Sequence, residues 1–164
     1  MPEWADGGTA RLVDPDGVRR TARRGTATVT RVFRAGDEVP LELPVAPRWT
    51  EADPRVDAVR GTVAVQRGPL VYCAESVDLP DGRETDAIRV DTSAAPRNGP
   101  DGTVVAPGEL TAPDARAWPY RPLDRTPSSA AAADRTGIVL VPYHSRADRG
   151  PSTMRVWLPT TGPH

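Results

Sequence analysis

Arg67-Gly68-Pro69-Leu70-Val71-Tyr72-Cys73-Ala74-Glu75 sets an Arg-Gly-Pro turn before a short apolar run. Arg149-Gly150-Pro151-Ser152-Thr153-Met154-Arg155-Val156-Trp157-Leu158-Pro159 does the same near the other end of the chain. Short apolar runs bounded by Gly and Pro read as β-strands. Working outward, residues 60–66 and 69–75 read as a strand pair around Arg67-Gly68, with Val63 and Val65 on one face and Val71 and Cys73 on another. Ile138-Val139-Leu140-Val141 is apolar on both faces and reads as a central buried strand, with 154–158 as its expected partner. The two Arg-Gly-Pro stretches do not align in their flanks, so a shared turn type, and not an internal repeat, is the expected reason for the likeness.

Asp14-Pro15-Asp16-Gly17 is a turn, because Pro presets one dihedral and Gly accepts a positive φ. Residues 26–33 alternate and predict a half-buried strand: Ala27, Val29 and Phe33 share one face, which Arg31 interrupts. Ala35-Gly36-Asp37 turns the chain into 39–45, whose Pro40 and Pro44 lack a ladder donor and predict an edge or bulged strand. Ile88 with Val90 and Val104 with Val105 mark two more strands. Residues 96–101 and 113–127 read as loops, and 128–133 as one or two helical turns.

Nineteen prolines and fourteen glycines in 164 residues leave no room for a long helix, while 38% hydrophobic residues with only 5% aromatics allow a lean core. Eight to ten strands by this count predict an all-β protein of two small β-sandwich (jelly-roll-like) domains, 1–78 and 79–164, divided where the strong pattern gives way to loops near 77–82. A net charge of -1, with every basic residue an arginine, gives no footprint for nucleic acid or an anionic membrane. No stretch approaches the ~20 apolar residues of a membrane span. No signal peptide is visible at Met1, so the cytoplasm is the default compartment.

Cys73, alternating with Val71 in an apolar strand, reads as a core thiol. His144 reads as a surface histidine, and neither it nor the last residue, His164, has the convergent ligands that a metal needs. Asp37 reads as a turn former, and Arg19-Arg20 with Arg23-Arg24 as a solvated hairpin face beside Asp14 and Asp16. Among Trp4, Trp49, Trp118 and Trp157, the one best placed for sugar stacking is Trp118, in a Pro-rich loop beside Tyr120. Trp118 and Tyr120 are thus the candidate carbohydrate contacts, and no catalytic, cofactor-binding or metal-ligating residue is named.

The run Arg60-Gly61-Thr62-Val63-Ala64-Val65-Gln66-Arg67-Gly68-Pro69-Leu70-Val71-Tyr72-Cys73 resembles the middle domain of glycoside hydrolase family 127, the β-L-arabinofuranosidase-type enzymes. Pro2-Glu3-Trp4-Ala5, Phe33-Arg34-Ala35-Gly36-Asp37 and Leu41-Glu42-Leu43-Pro44 resemble its earlier strands, and Val141-Pro142-Tyr143 with 149–159 resembles its C-terminal end. Where that family tends to read Trp-Ala-Asn-Arg-Gly, this chain has Arg146-Ala147-Asp148-Arg149-Gly150.

The resemblance implies a scaffold. In that family an (α/α)6 barrel carries a cysteine nucleophile on a zinc ion, and two β-sandwich domains follow it. The expected function is therefore the non-catalytic C-terminal β-sandwich portion of such a hydrolase, its first sandwich short of N-terminal strands and the zinc confined to the absent barrel. The barrel, or a fragment encoded upstream, is the expected partner, with a second copy of the chain and L-arabinose-containing glycans as further ones. The alternative is a stand-alone carbohydrate-binding or protein-interaction module.

Overall fold

The computed structural model describes residues 10–22, 25–111 and 134–161. Among them there are twelve strands, several single 3-10 turns and no α-helix, so the all-β expectation holds. Two compact units divide between Ala46 and Pro47.

In the first unit, β1 (Ala10–Val13) pairs antiparallel with β2 (Arg19–Ala22) on one edge and with β3 (Leu41–Glu42) on the other. The β1–β2 turn is the expected one. Asp14 Oδ1 accepts from the backbone N–H of Asp16 at 3.2 Å and of Val18 at 2.9 Å, and Gly17 takes φ 79°. Two prolines flank β3, which is short and lies at the sheet edge as expected. The strand expected over 26–33 is not formed, and Val32 is 86% exposed. Its interruption explains why: Arg31 reaches Asp16 at 3.3 Å and Asp37 at 3.5 Å, carboxylates on two turns, and packs over Phe33.

The second unit contains β4 (Pro47–Glu51), β5 (Thr62–Arg67), β6 (Leu70–Glu75), β7 (Ile88–Val90), β8 (Arg97–Asn98), β9 (Val104–Leu110), β10 (Asp134–Pro142), β11 (Met154–Arg155) and β12 (Leu158–Pro159). The β5–β6 hairpin closes through two residues, with Arg67 opposite Leu70 and Gly68 at φ 58°. A type I′ turn needs positive φ at both central residues, which Pro69 cannot supply, so Gly68-Pro69 makes a type II′ turn.

The backbone of this unit is the strand path β12-β5-β6-β10-β9-β7, with β4, β8 and β11 attached to β5, β9 and β6. Its two ends meet. Thr160, just past β12, forms a parallel bridge with Val90, and Thr161 N–H donates to Val90 O at 3.0 Å. Closing a sheet on itself satisfies edge groups that would otherwise invite foreign strands. Inside lie Val63, Val65, Tyr72, Ala74, Ile88, Val90, Val104, Ala106, Leu110, Ile138, Leu140 and Leu158, with Trp49 and Leu79 packed against them.

Three expectations change. The boundary does not fall at 78, because β6 and β10 pair directly (Cys73 opposite Val141) and strands from both sides of 78 share one core. Residues 76–87, which include the stretch where that boundary was placed, contain three single 3-10 turns beside the core. The 96–101 loop contains β8, which pairs with β9. Finally, β10 is central as expected, but the last strands are not its partners: β11 pairs with β6 and β12 with β5, the chain bending at Val156 and Trp157 between them. Only two residues separate β11 from β12, so the chain reaches two different strands only by that bend.

Leu158 is 1% exposed at the point where the sheet closes. Leu158→Ala is expected to lower unfolding free energy in urea by about 2–5 kcal/mol. Val77→Ala, at an exposed position, is expected to stay within about 0.5 kcal/mol of the parent.

Candidate functional site: the Glu75 latch and the 143–153 loop

Successive side chains of a strand face opposite ways, so β6 serves two environments. Tyr72 and Ala74 enter the core, and the Tyr72 hydroxyl donates to Gly102 O at 2.9 Å. Cys73 and Glu75 face the other side. Both are buried there, and Glu75 is 1% exposed.

A carboxylate in that position would be costly without partners. Glu75 has three, all from one loop. Oε1 accepts from Ala147 N–H at 2.8 Å and from the Ser152 hydroxyl at 2.7 Å, while Oε2 accepts from Arg149 Nη2 at 2.7 Å. The same guanidinium grips both oxygens of Asp78, with Nη2 to Oδ2 at 2.7 Å and Nη1 on Oδ1. Ser76 N–H donates to Thr153 O at 2.9 Å and Thr153 N–H to Ser76 Oγ at 3.0 Å, locking the end of the loop in register with Met154 opposite Glu75.

The loop bears the mark of this anchoring. Ala147 sits at φ 65°, a region that residues with a Cβ adopt at a cost, and its N–H is the one aimed at Glu75. Tyr143 stands outward, 42% exposed, with the Arg146 guanidinium 5.3 Å from its ring centroid. Arg146 thus sets a cation over an aromatic ring at the surface of the loop.

Burial pushes the Glu75 carboxyl upward. The hydrogen bonds from Ser152, Arg149 and Ala147 outweigh it and hold the group below its ordinary 4.5. Asp78 and Glu75 together raise the Arg149 guanidinium still further above its already high value. Cys73 moves the opposite way: burial, then the neighbouring Glu75 charge, push its thiol up to about 11. The thiol itself is fully buried, as the sequence reading expected of a core cysteine.

The two Arg-Gly-Pro stretches therefore meet in space, with Glu75 ending one and Arg149 opening the other. Their turns differ, contrary to expectation. Gly68 sits in a two-residue hairpin, whereas Gly150, at φ 120°, follows an arginine tied to a buried carboxylate. The sequence reading missed the latch. The available signal was a glutamate ending an apolar strand, a position that demands a cationic partner once that strand is central.

His144 is exposed, as expected, and Asp37 caps its turn by accepting from Arg34 N–H at 2.9 Å. Arg19 and Arg20 are exposed on β2, with Arg20 3.3 Å from Asp14. Trp49 donates its indole N–H to Ala94 O at 2.9 Å and backs the core. Trp118, Tyr120, Trp4, His164, Arg23 and Arg24 lie outside the described residues, as do the 113–127 loop and the 128–133 turn. Among the described residues no three His, Cys, Asp or Glu side chains group as metal ligands, and the donor set around Cys73 does not fit zinc, since Glu75 is fully engaged by the loop. Among them, too, no helix is long and apolar enough to cross a membrane.

The profile of the glycoside hydrolase family 127 C-terminal domain matches residues 47–159, which lie within the second unit, and the chain belongs to that family. It is 33% identical over 168 residues to a non-reducing end β-L-arabinofuranosidase of Bifidobacterium longum subsp. longum, covering 96% of this chain and 25% of the relative. Among solved structures it resembles a glycoside hydrolase (TM-score 0.72, 28% identity, 99% of this chain and 27% of that one). It also resembles a family 127 β-L-arabinofuranosidase of Geobacillus stearothermophilus T6 (TM-score 0.66, 25% identity, 98% and 26%). The chain thus spans about a quarter of the length of these relatives.

Because the folded-state value of Glu75 lies below its unfolded one, its contribution to stability is complete above the ordinary 4.5 and is lost as pH falls through the lower value. Chemical denaturation at pH 7 should show Glu75→Gln and Arg149→Ala each costing about 1–3 kcal/mol. The glutamine variant should also lose part of the parent's decline in stability below pH 4.5. In a second measurement, Cys73, with its thiol near 11, should resist alkylation by iodoacetamide at pH 8 in the folded protein and react fully in urea.

Proposed function

We propose that this chain is the non-catalytic β-sandwich portion of a β-L-arabinofuranosidase-like hydrolase, bracing a catalytic portion that corresponds to other parts of its relatives' length. The observation that carries the reading is the commitment of the buried reactive groups to structure. Glu75 is consumed by three donors from one loop, and Cys73 is a core thiol. A general acid or base must be able to exchange its proton with substrate, and a nucleophile must be able to ionise. Neither group meets its condition. In this reading the catalytic barrel is the partner, and any zinc is held there with no ligand from this chain.

The latch gives the bracing role a physical form. It fixes the 143–153 loop against β6 and holds Tyr143 and Arg146 outward on a rigid base, residue types that dominate protein contacts when presented without an ordering cost.

The chain alone should release no arabinose from a β-L-arabinofuranoside. A chimera of the Bifidobacterium relative with this chain in place of its matched quarter should release it. Arg149→Ala in that chimera should lower the melting temperature and leave KM unchanged. Turnover by the isolated chain would overturn the reading.

A further inference from the structure

A cleft of about 530 Å³ opens on the outer face of β8, β9 and β10, away from the Glu75 latch. Its size falls in the range of small-ligand sites. Alternation along β9 sends Val104, Ala106 and Leu110 into the core and leaves Val105, Pro107 and Glu109 outward, where they line the cleft. Arg97 of β8, opposite Val105, closes one side, and Asp91 stands at the rim, its carboxylate accepting from Ser93 N–H at 2.9 Å.

The floor is bare for a structural reason. A Cβ on Gly137 would lie 2.6 Å from Val105 Cγ1, so a side chain there would have to displace the wall. Arg97 Nη2 lies 3.8 Å from that Cβ position, which places the guanidinium along exposed backbone. The rim is also held in place, because the Trp49 indole donates to Ala94 O on the same loop. Both Arg97 and Glu109 are held by their strands, Arg97 opposite Val105, and Glu109 opposite Arg89 on one side and Arg135 on the other.

Charge narrows the ligand. An anion drawn to Arg97 would meet two carboxylates, and a cation drawn to those would meet Arg97. An apolar ligand would desolvate all three without replacing their hydrogen bonds. A neutral polyhydroxylated ring suits the whole set: hydroxyl oxygens accept from Arg97, hydroxyl protons are donated to Glu109 and Asp91, and the C–H face rests on Val105 and Pro107. We propose that this cleft is a glycan-holding subsite for a neutral arabinofuranosyl unit. The choice of arabinose rests on the function proposed above; the choice of a neutral sugar rests on the lining.

The cleft is open, so affinity should be weak, with a Kd on the order of 1 mM. The test is a titration of the ¹⁵N-labelled 164-residue chain with methyl β-L-arabinofuranoside, and with galacturonate and glycerol as comparisons. The proposal expects saturable amide shifts confined to 91–97, 105–109 and 136–137. Arg97→Ala, a change at an exposed position, should weaken binding at least tenfold while the rest of the spectrum stays that of the folded parent. Absence of saturable shifts, shifts elsewhere, preference for galacturonate, equal response to glycerol, or unchanged affinity in Arg97→Ala would each overturn it. Failure here leaves the bracing function standing, since that is judged by the chimera's activity. Binding with an inactive chimera would leave the subsite standing without the brace.

Discussion

A buried carboxylate holds the second unit's outer layer to its core. Glu75 has almost no solvent, so its charge is tolerable only while Ala147, Arg149 and Ser152 all point at it. Three donors spread over six residues leave the loop little freedom. They account for the left-handed Ala147, for Arg149 turning inward to bridge two acids, and for β11 starting where it does, opposite Glu75. The network is directional in a way that apolar packing is not. A greasy contact tolerates a slip of one residue, whereas this geometry does not.

β6 joins this polar layer to the apolar interior. One face contributes Tyr72 and Ala74 to the core; the other contributes Cys73 and Glu75 beneath the loop. Because the strand is shared, movement of the latch would be felt as movement of the core wall, and tight packing passes such displacement on instead of absorbing it. A domain whose task is to hold another in place has a use for that stiffness. The glycan subsite proposed on β8–β10 would sit on the same rigid wall.

The sequence disclosed the elements whose cause is local. The Asp14–Gly17 turn, the β5–β6 hairpin, the edge position of β3 and the burial of Ile138 and Leu140 follow from Pro, Gly and alternation within a few residues. The failures have causes that are distant in sequence. The alternation over 26–33 is real, but Arg31 is drawn to Asp16 and Asp37, and no short window shows that competition. A domain boundary at 78 looked natural because patterning fades there, yet β6 and β10 pair across it. The latch links residues more than seventy positions apart. What was legible was Glu75 itself, an acid where an apolar strand should have ended in an apolar residue. Family likeness, carried by the strands, was readable because hairpin chemistry is local too.

Ring closure also dictates an order of events. The bridge between Val90 and Thr160, and the pairing of Leu158 with Val63, join segments separated by most of the unit's length. Such contacts form late, after the loops between them have given up their freedom, and they make assembly slow. On the ribosome, β5 and β6 can form their hairpin early, but the two ends of the sheet cannot meet until β12 has cleared the exit tunnel. Until then the edge of β7 that Thr160 and Thr161 later cover is open to neighbours, so the interval between hairpin and closure is when foreign strands can compete for it.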